Sequence, residues 1–310
     1  MSSAPPRDQD FVIVVINGHG APPLARGKVH DLYFGLVPAL ARVGIEWLAE
    51  GEAVELHLKV EDRVVAEGIL DALAVEMARK PVDLCLLPTL GRRKRLLVAD
   101  MESTMVEEEC LDELALEAGI GARIADITTR SMRGELPFEA ALRERVGLLK
   151  GLPETSLARL RDRLTPIPGA SAVVATMHRH GAHTALVSGG FTYFTAAVAS
   201  RLGFDSHYGN RLNLANEALD GTVAEPILGR NAKLETLRQL AATLGLSPTD
   251  TLAVGDGAND VAMVREAGIG VAFRAKPVLE QVAPVVLRHA DLTGLLYVQG
   301  YRSQDFASSV

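Results

Sequence analysis

Residues 96–110 read LLVADMESTMVEEEC. The apolar run Leu96–Ala99 stops at Asp100; Glu102, Ser103 and Thr104 follow, then three glutamates in a row. A short apolar run that ends abruptly in polar residues is the pattern of a buried strand delivering side chains to its carboxyl end. A carboxylate there can be approached by substrate while loop N–H groups point at the same spot. A nucleophilic aspartate that forms an aspartyl-phosphate needs that arrangement. Taken alone, the same residues serve equally well as a helix N-cap, since Asp, Ser and Thr all cap well. The rest of the chain decides between the two.

Downstream, apolar runs of strand length alternate with helical stretches: AHTALVSGG (182–190), TLAVGDG (251–257) and GIGVAF (268–273). Such alternation predicts an α/β fold, a doubly wound parallel sheet with helices on both faces. In such sheets ligands bind beyond the carboxyl ends of the strands. Asp100, Ser188 and Asp256 each stand at such an end, so three motifs far apart in sequence are expected to meet in one crevice. The charged, helical stretch at about 112–165 is too long for a plain crossover and is expected to form an inserted helical cap.

Upstream of residue 90 the pattern differs. FVIVVIN (11–17) reads as a strand, HDLYFGLVPALARVG (30–44) as a helix stopped by glycine, and IEWLAEG and AVELHLKV (53–60) as two strands. EDRVVAEGILDALAVEMAR (61–79) reads as an amphipathic helix and VDLCLLP (82–88) as a closing strand. The order β-α-β-β-α-β is that of a ferredoxin-like α+β domain. Two domains, 1–90 and 91–310, agree with about 100–200 residues per domain. The basic run GRRKR (91–95) between them is expected to be a solvated linker, and the tail SQDFASSV to be frayed.

Composition narrows the function classes. A net charge of −7 argues against nucleic acid as the main partner. Cys85 and Cys110 lie far apart in sequence, which argues against a disulfide framework or zinc site and favours a reducing, cytoplasmic setting. The start MSSAPPRDQD has no apolar signal-like segment, and no apolar run approaches the ~20 residues that span a bilayer.

Three further motifs carry chemistry. Ser188 in LVSGGF (186–191) can donate its hydroxyl to a phosphate oxygen, and Gly189 and its neighbour allow close backbone approach. Lys233 in GRNAKLETLRQLA can neutralise charge on a transferring phosphoryl group. In AVGDGANDVAMV (253–264) an apolar strand ends at Asp256, and Asn259 and Asp260 begin an amphipathic helix. Asp256 and Asp100 then place two carboxylates at one end of the sheet, which calls for a hard divalent cation. Mg²⁺ suits, because it takes one or two carboxylates together with phosphate and water.

Together these stretches resemble the haloacid-dehalogenase-like phosphatases, and within them the phosphoserine phosphatase family, over residues 95–298. The likeness extends into the cap, through VEEECLDELA (106–115) and SMRGELPFEAALRERVGLLKGLP (131–153). The resemblance implies Mg²⁺-dependent hydrolysis of O-phospho-L-serine to L-serine and phosphate, the last step of serine biosynthesis, through an aspartyl-phosphate. It assigns Asp100 as nucleophile and the second acid, Glu102, as acid–base residue. Asp100, Asp256 and the main-chain carbonyl of Glu102 would be metal ligands, with Asp260 and Asn259 in support. It assigns Glu109 to the substrate ammonium, Arg145 to its carboxylate, Met132 and Phe138 to closure over it, and Ser188, Gly189 and Lys233 to phosphate oxygens. Phosphoserine has a cation, an anion and a phosphate, so a site for it needs one acid, one bidentate base and a phosphate cradle.

The departure is Glu102, where the family pattern has Asp. Glu keeps the carboxyl group at similar intrinsic acidity (~4.3 against ~3.9) but adds a methylene. The amino-terminal unit resembles an ACT domain, a module that often binds amino acids and pairs into dimers. An amino-acid ligand there and a homodimer are the corresponding expectations. Two other activities compete: transfer of the phosphoryl group to another alcohol such as homoserine, and a weakly active amino-acid sensor.

Overall fold

The structure is a computed structural model and describes residues 9–133, 135–229 and 231–307. Strands β1 (Gln9–Asn17), β2 (Arg42–Ala49), β3 (Ala53–Val60) and β4 (Val82–Pro88) form an antiparallel sheet in the order β2-β3-β1-β4. Helices α1 (Arg26–Leu36) and α2 (Arg63–Met77) cover one face, giving the ferredoxin-like order expected. The run FVIVVI is continuously apolar because β1 is buried on both sides. Phe11, Ile13 and Val15 meet Tyr33, Leu73 and Met77 of the helices, while Val12, Val14 and Ile16 join the core of the second domain. The two domains therefore share a hydrophobic core through the back of this sheet.

The helix expected over 30–44 ends at Leu36 instead. Val37 precedes Pro38, and a proline ring pushes the residue before it out of the helical region. Val37 is extended, with φ −83° and ψ 123°, and Arg42 already starts β2.

The second domain is built on a six-stranded parallel sheet. Its strands are β5 (Leu96–Ala99), β6 (His183–Phe191), β7 (Ser206–Asn210), β10 (Thr251–Gly255), β11 (Ile269–Phe273) and β12 (Val285–Leu287). The order is β12-β11-β10-β5-β6-β7. The chain winds from β5 outward through β6 and β7, then returns to β10 on the other side of β5. The strand order thus reverses between β5 and β10, where a crevice opens at the carboxyl ends. The short strands β7 and β12, and a hairpin of β8 (Leu212–Ala215) and β9 (Ala218–Val223), go beyond the sequence reading.

Alternation along each strand sorts the two faces. Leu96, Val98, Ala253 and Ala272 meet α9 (Ala232–Thr243) and α10 (Val261–Glu266) through Leu237, Ala241 and Met263. Leu97, Ala99, Val254 and Val271 face the core shared with the first sheet and with α7 (Ala170–Arg179). Between β5 and α7 the cap consists of α3 (Cys110–Glu117), α4 (Gly121–Met132), α5 (Phe138–Leu148) and α6 (Glu154–Arg163). The β8–β9 hairpin is tied to its base, with Gly151 N donating to Leu219 O and Leu219 N to Leu152 O. No helix among the described residues is long and apolar enough to cross a membrane.

The basic run at 91–95 is not a solvated linker. Arg92 is buried and its Nη1 lies 2.6 Å from Glu55 Oε1; Lys94 Nζ donates to the carbonyls of Gly91 and Thr249, both at 2.7 Å. Arg93 and Arg95 are exposed, Arg93 lying over the ring of Tyr301 at 4.3 Å. The cause is the docking of the two domains, which buries Glu55 and loop carbonyls that need donors. Asp83 of β4 joins them again, accepting the N–H groups of Arg288, His289 and Ala290. The tail is anchored as far as described: Phe306 lies against Tyr297, and Ala307 N donates to Thr176 Oγ1. Residues 308–310 lie outside the described part.

Burial pushes the Glu55 carboxyl up, but His57 and Arg92 outweigh it and hold it below its ordinary value. Removing Arg92 leaves this buried charge with only His57 beside it. Arg92→Met is expected to lower the unfolding free energy by about 3–5 kcal/mol, measured by urea denaturation at neutral pH. Glu55's depressed folded-state pKa gives stability that is present above its unfolded value (about 4.3). That contribution fades as the pH falls through the folded value, so the deficit of the variant should shrink in acid.

Candidate active site

The loop after β5 is a tight turn in which Met105 N and Val106 N both donate to Met101 O, at 2.8 and 3.0 Å. Ser103 takes φ +55°, a left-handed conformation uncommon outside glycine. The turn sets Asp100 and Glu102 at the strand's end on the crevice side.

Asp100 is buried, its Oδ1 accepting the N–H of Met101 at 2.7 Å and its Oδ2 lying 2.6 Å from Lys233 Nζ. Lys233, on the first turn of α9, reaches Asp260 Oδ1 at 2.6 Å with the same ammonium. Asp260 Oδ2 in turn accepts the N–H groups of Asp256 and Gly257, at 3.2 and 3.0 Å. Gly255 is needed here, because a Cβ on it would sit 2.2 Å from the Asp260 carboxyl carbon. Burial pushes the Asp100 carboxyl up and Lys233 opposes it. Burial alone would lower Lys233, yet Asp100 and Asp260 hold it above the ordinary lysine value, so the ammonium stays charged.

Oxygens of Asp100, Asp256 and Asp260 all lie within 4.8 Å of one another. Against these three carboxylates stand Lys233 and Lys276, whose Nζ is 3.0 Å from Asp256 Oδ2. An all-oxygen donor set with one negative charge to spare fits a hard divalent cation. Lys276 went unread in the sequence, although RAKP (274–277) directly follows β11 and the carboxyl ends of the other strands had already pointed to this edge.

Glu102 is enclosed. Its Oε1 accepts the N–H of Cys110 at 2.8 Å, and its Oε2 accepts the Ser188 hydroxyl at 3.3 Å. Burial, reinforced by the charge of Glu109, pushes its carboxyl up to about 7. An acid with that value can give or take a proton near neutrality. Ser188 Oγ also accepts the N–H of Gly190 at 2.8 Å, and a Cβ on Gly190 would approach Glu102 Oε2 to 2.9 Å.

A cavity of about 180 Å³ lies over these groups. Asp100, Glu102, Gly189, Asp256 and Asn259 line its floor from the sheet, and Glu109, Phe138 and Arg145 line it from the cap. Eight of the residues named from the sequence thus meet in one space. Ser188 and Lys233 lie just behind it, against Glu102 and Asp100, and Asp260 lies deeper still. Met132 ends α4, and its side chain lies outside the described part. Arg145 Nη1 reaches Thr128 Oγ1 at 3.5 Å, and Ser103 Oγ donates to Glu109 Oε1 at 2.8 Å. Thr128, Asp112, Leu111 and Leu142 complete the cap side and had no distinguishing signal in the sequence.

A family profile described as haloacid dehalogenase-like hydrolase matches residues 97–265. A phosphoserine phosphatase of Archaeoglobus fulgidus is 42% identical over 248 residues, 79% of this chain and 72% of that protein. A haloacid dehalogenase family hydrolase from Salmonella enterica superposes with a TM-score of 0.81 at 27% identity, covering 93% of this chain and 98% of that one. A solved phosphoserine phosphatase holding a phospho-aspartyl intermediate analogue gives a TM-score of 0.62 at 40% identity, covering 66% of this chain and 98% of that one.

Lys233 is the shared counter-charge of two buried acids. Lys233→Met is expected to destabilise the fold by about 3–5 kcal/mol in urea denaturation, with a smaller loss when Asp260→Asn is added.

Proposed function

We propose that this chain, which belongs to the haloacid dehalogenase-like hydrolases and to their phosphoserine phosphatase family, hydrolyses O-phospho-L-serine to L-serine and phosphate. The observation that carries the reading is the two-sided cavity. Asp100 stands at one wall, and Arg145 and Glu109 line the cap side. A phosphate ester bearing an ammonium and a carboxylate matches those charges group for group, and Phe138 closes beside Gly189.

Asp100 attacks phosphorus in line with the serine oxygen. As the P–O bond to serine breaks, Glu102 gives its proton to the leaving oxygen. The resulting carboxylate then takes a proton from water, which attacks the aspartyl-phosphate, releases phosphate and restores Asp100. Lys233 and Ser188 are assigned, with the loop N–H groups around Gly189, to the charge on the phosphoryl oxygens. Mg²⁺, held by Asp100, Asp256 and the Glu102 carbonyl, would neutralise the charge between nucleophile and phosphate. Asp260 and Asn259 would support that set from behind. The cap excludes water while serine departs.

A panel of phosphate monoesters with Mg²⁺, read as phosphate release, tests the assignment. O-phospho-L-serine should be preferred, and Asp100→Asn should abolish turnover. Arg145→Ala should raise KM on the order of tenfold or more, as expected for a lost charged hydrogen bond, and lower kcat less. No release from O-phospho-L-serine would sink the reading, and phosphoester formation that depends on added homoserine would replace it with phosphotransfer.

A further inference from the structure

Glu102 is one methylene longer than the aspartate of the family pattern, and the structure shows where that length goes. Its carboxylate spans two partners, one on the sheet and one on the cap of the second domain. Oε2 meets Ser188 of β6, and Oε1 meets the N–H of Cys110, the first residue of α3 and of the cap. The first N–H groups of a helix have no partner within it. Here the first bond of the helix is Glu113 N to Glu109 O, so the Cys110 N–H is available to hold a carboxylate. The positive end of the helix dipole favours the same placement. Gly190 provides the room, since a Cβ there would meet both Glu102 Oε2 and Ser188 Oγ at about contact-breaking distance, 2.9 and 3.0 Å. A carboxylate drawn back by one carbon–carbon bond, about 1.5 Å, loses one of the two partners.

We propose that in this chain the cap positions the acid–base group: the main-chain N–H of Cys110 holds Glu102 at the leaving oxygen, and the extra methylene is the length that reaches it. The proposal rests on the phosphatase reading above. Cys110 is a positioning residue, acting through its backbone, while Glu109 and Arg145 hold the substrate independently. Its loss therefore falls on kcat and leaves KM nearly unchanged.

The backbone donor can be removed by itself. Proline is favoured at the first position of a helix, where it breaks no helical bond. Glu109 before it is already extended, with φ −95° and ψ 98°, as a residue preceding proline should be. Cys110→Ala, which removes the thiol and keeps the N–H, is the reference for Cys110→Pro. On O-phospho-L-serine with Mg²⁺, Cys110→Pro should lower kcat on the order of tenfold or more against that reference. Glu102→Asp should lower it comparably. In the Glu102→Asp background the proline should cost no further kcat, since the shorter acid no longer uses the donor.

Equal kcat for the proline and alanine variants overturns the proposal, as does the same loss in both backgrounds, which marks a distorted helix. If thermal melting shows that Cys110→Pro does not fold, Glu102→Asp decides alone: a kcat at or above the native value overturns the proposal. Failure of the phosphatase reading is seen separately and first, as absence of phosphate release by the native protein, and takes this proposal with it.

Discussion

One ammonium between two buried carboxylates sets the terms for the rest of the site. Asp100 and Asp260 come from strands' ends more than 150 residues apart in sequence, and Lys233 lies 2.6 Å from both. Three acids crowd this edge, and burying them without compensation would cost several kcal/mol per charge. The parallel sheet solves the geometry. Its strand order reverses between β5 and β10, so the two acid-bearing loops diverge around one crevice, and α9 brings the lysine in from the face below. Local sequence follows from this constraint. Gly255 has no Cβ because Asp260 folds back onto it, and Asp260 folds back because the N–H groups of Asp256 and Gly257 need an acceptor.

The cap and the amino-terminal domain stand in different relations to that centre. The cap supplies Glu109, Phe138 and Arg145 to the cavity; on the proposed reading, recognition of the substrate is thereby separated from the phosphoryl chemistry on the sheet. Among the described residues, the amino-terminal domain contributes none to the cavity lining. It is nevertheless no loose appendage, because the back of its sheet is part of the main core, and Glu55–Arg92 and Asp83 tie it to the connector and to residues 288–290. One whole face of that sheet is used within the chain, which leaves its outer edge strand and helices for any ligand or second copy.

Much of the fold and site was legible because the two periodicities that betray burial were intact. Strand runs ending in Asp100, Ser188 and Asp256 pointed to one edge, and that edge holds the cavity. What escaped was set by tertiary contact. The run at 91–95 looks solvated by composition, and only the docked sheets explain why two of its cations turn inward. Strand β7, SHYGN, is a mostly polar strand at the sheet's edge with no apolar run to mark it, and β12 has only three residues. The helix expected past Leu36 failed for a local reason that was present in the sequence, Pro38, and was outweighed by the apolar spacing. Lys276 follows a strand end like the other site residues, but a lone lysine before a proline carries no pattern of its own.

Glu102 stands where the pattern of the resembled family has Asp, a difference that composition alone would call conservative. Both residues are acids of nearly equal intrinsic strength, so the difference lies in reach and surroundings. The longer side chain bridges from Ser188 on the sheet to Cys110 on the cap, where burial and the charge of Glu109 push it up to about 7. A shorter acid would belong to the floor of the crevice alone. On the proposed reading, the proton donor and the cap are joined by one hydrogen bond, so the geometry that would expel water from the cavity would also align the acid.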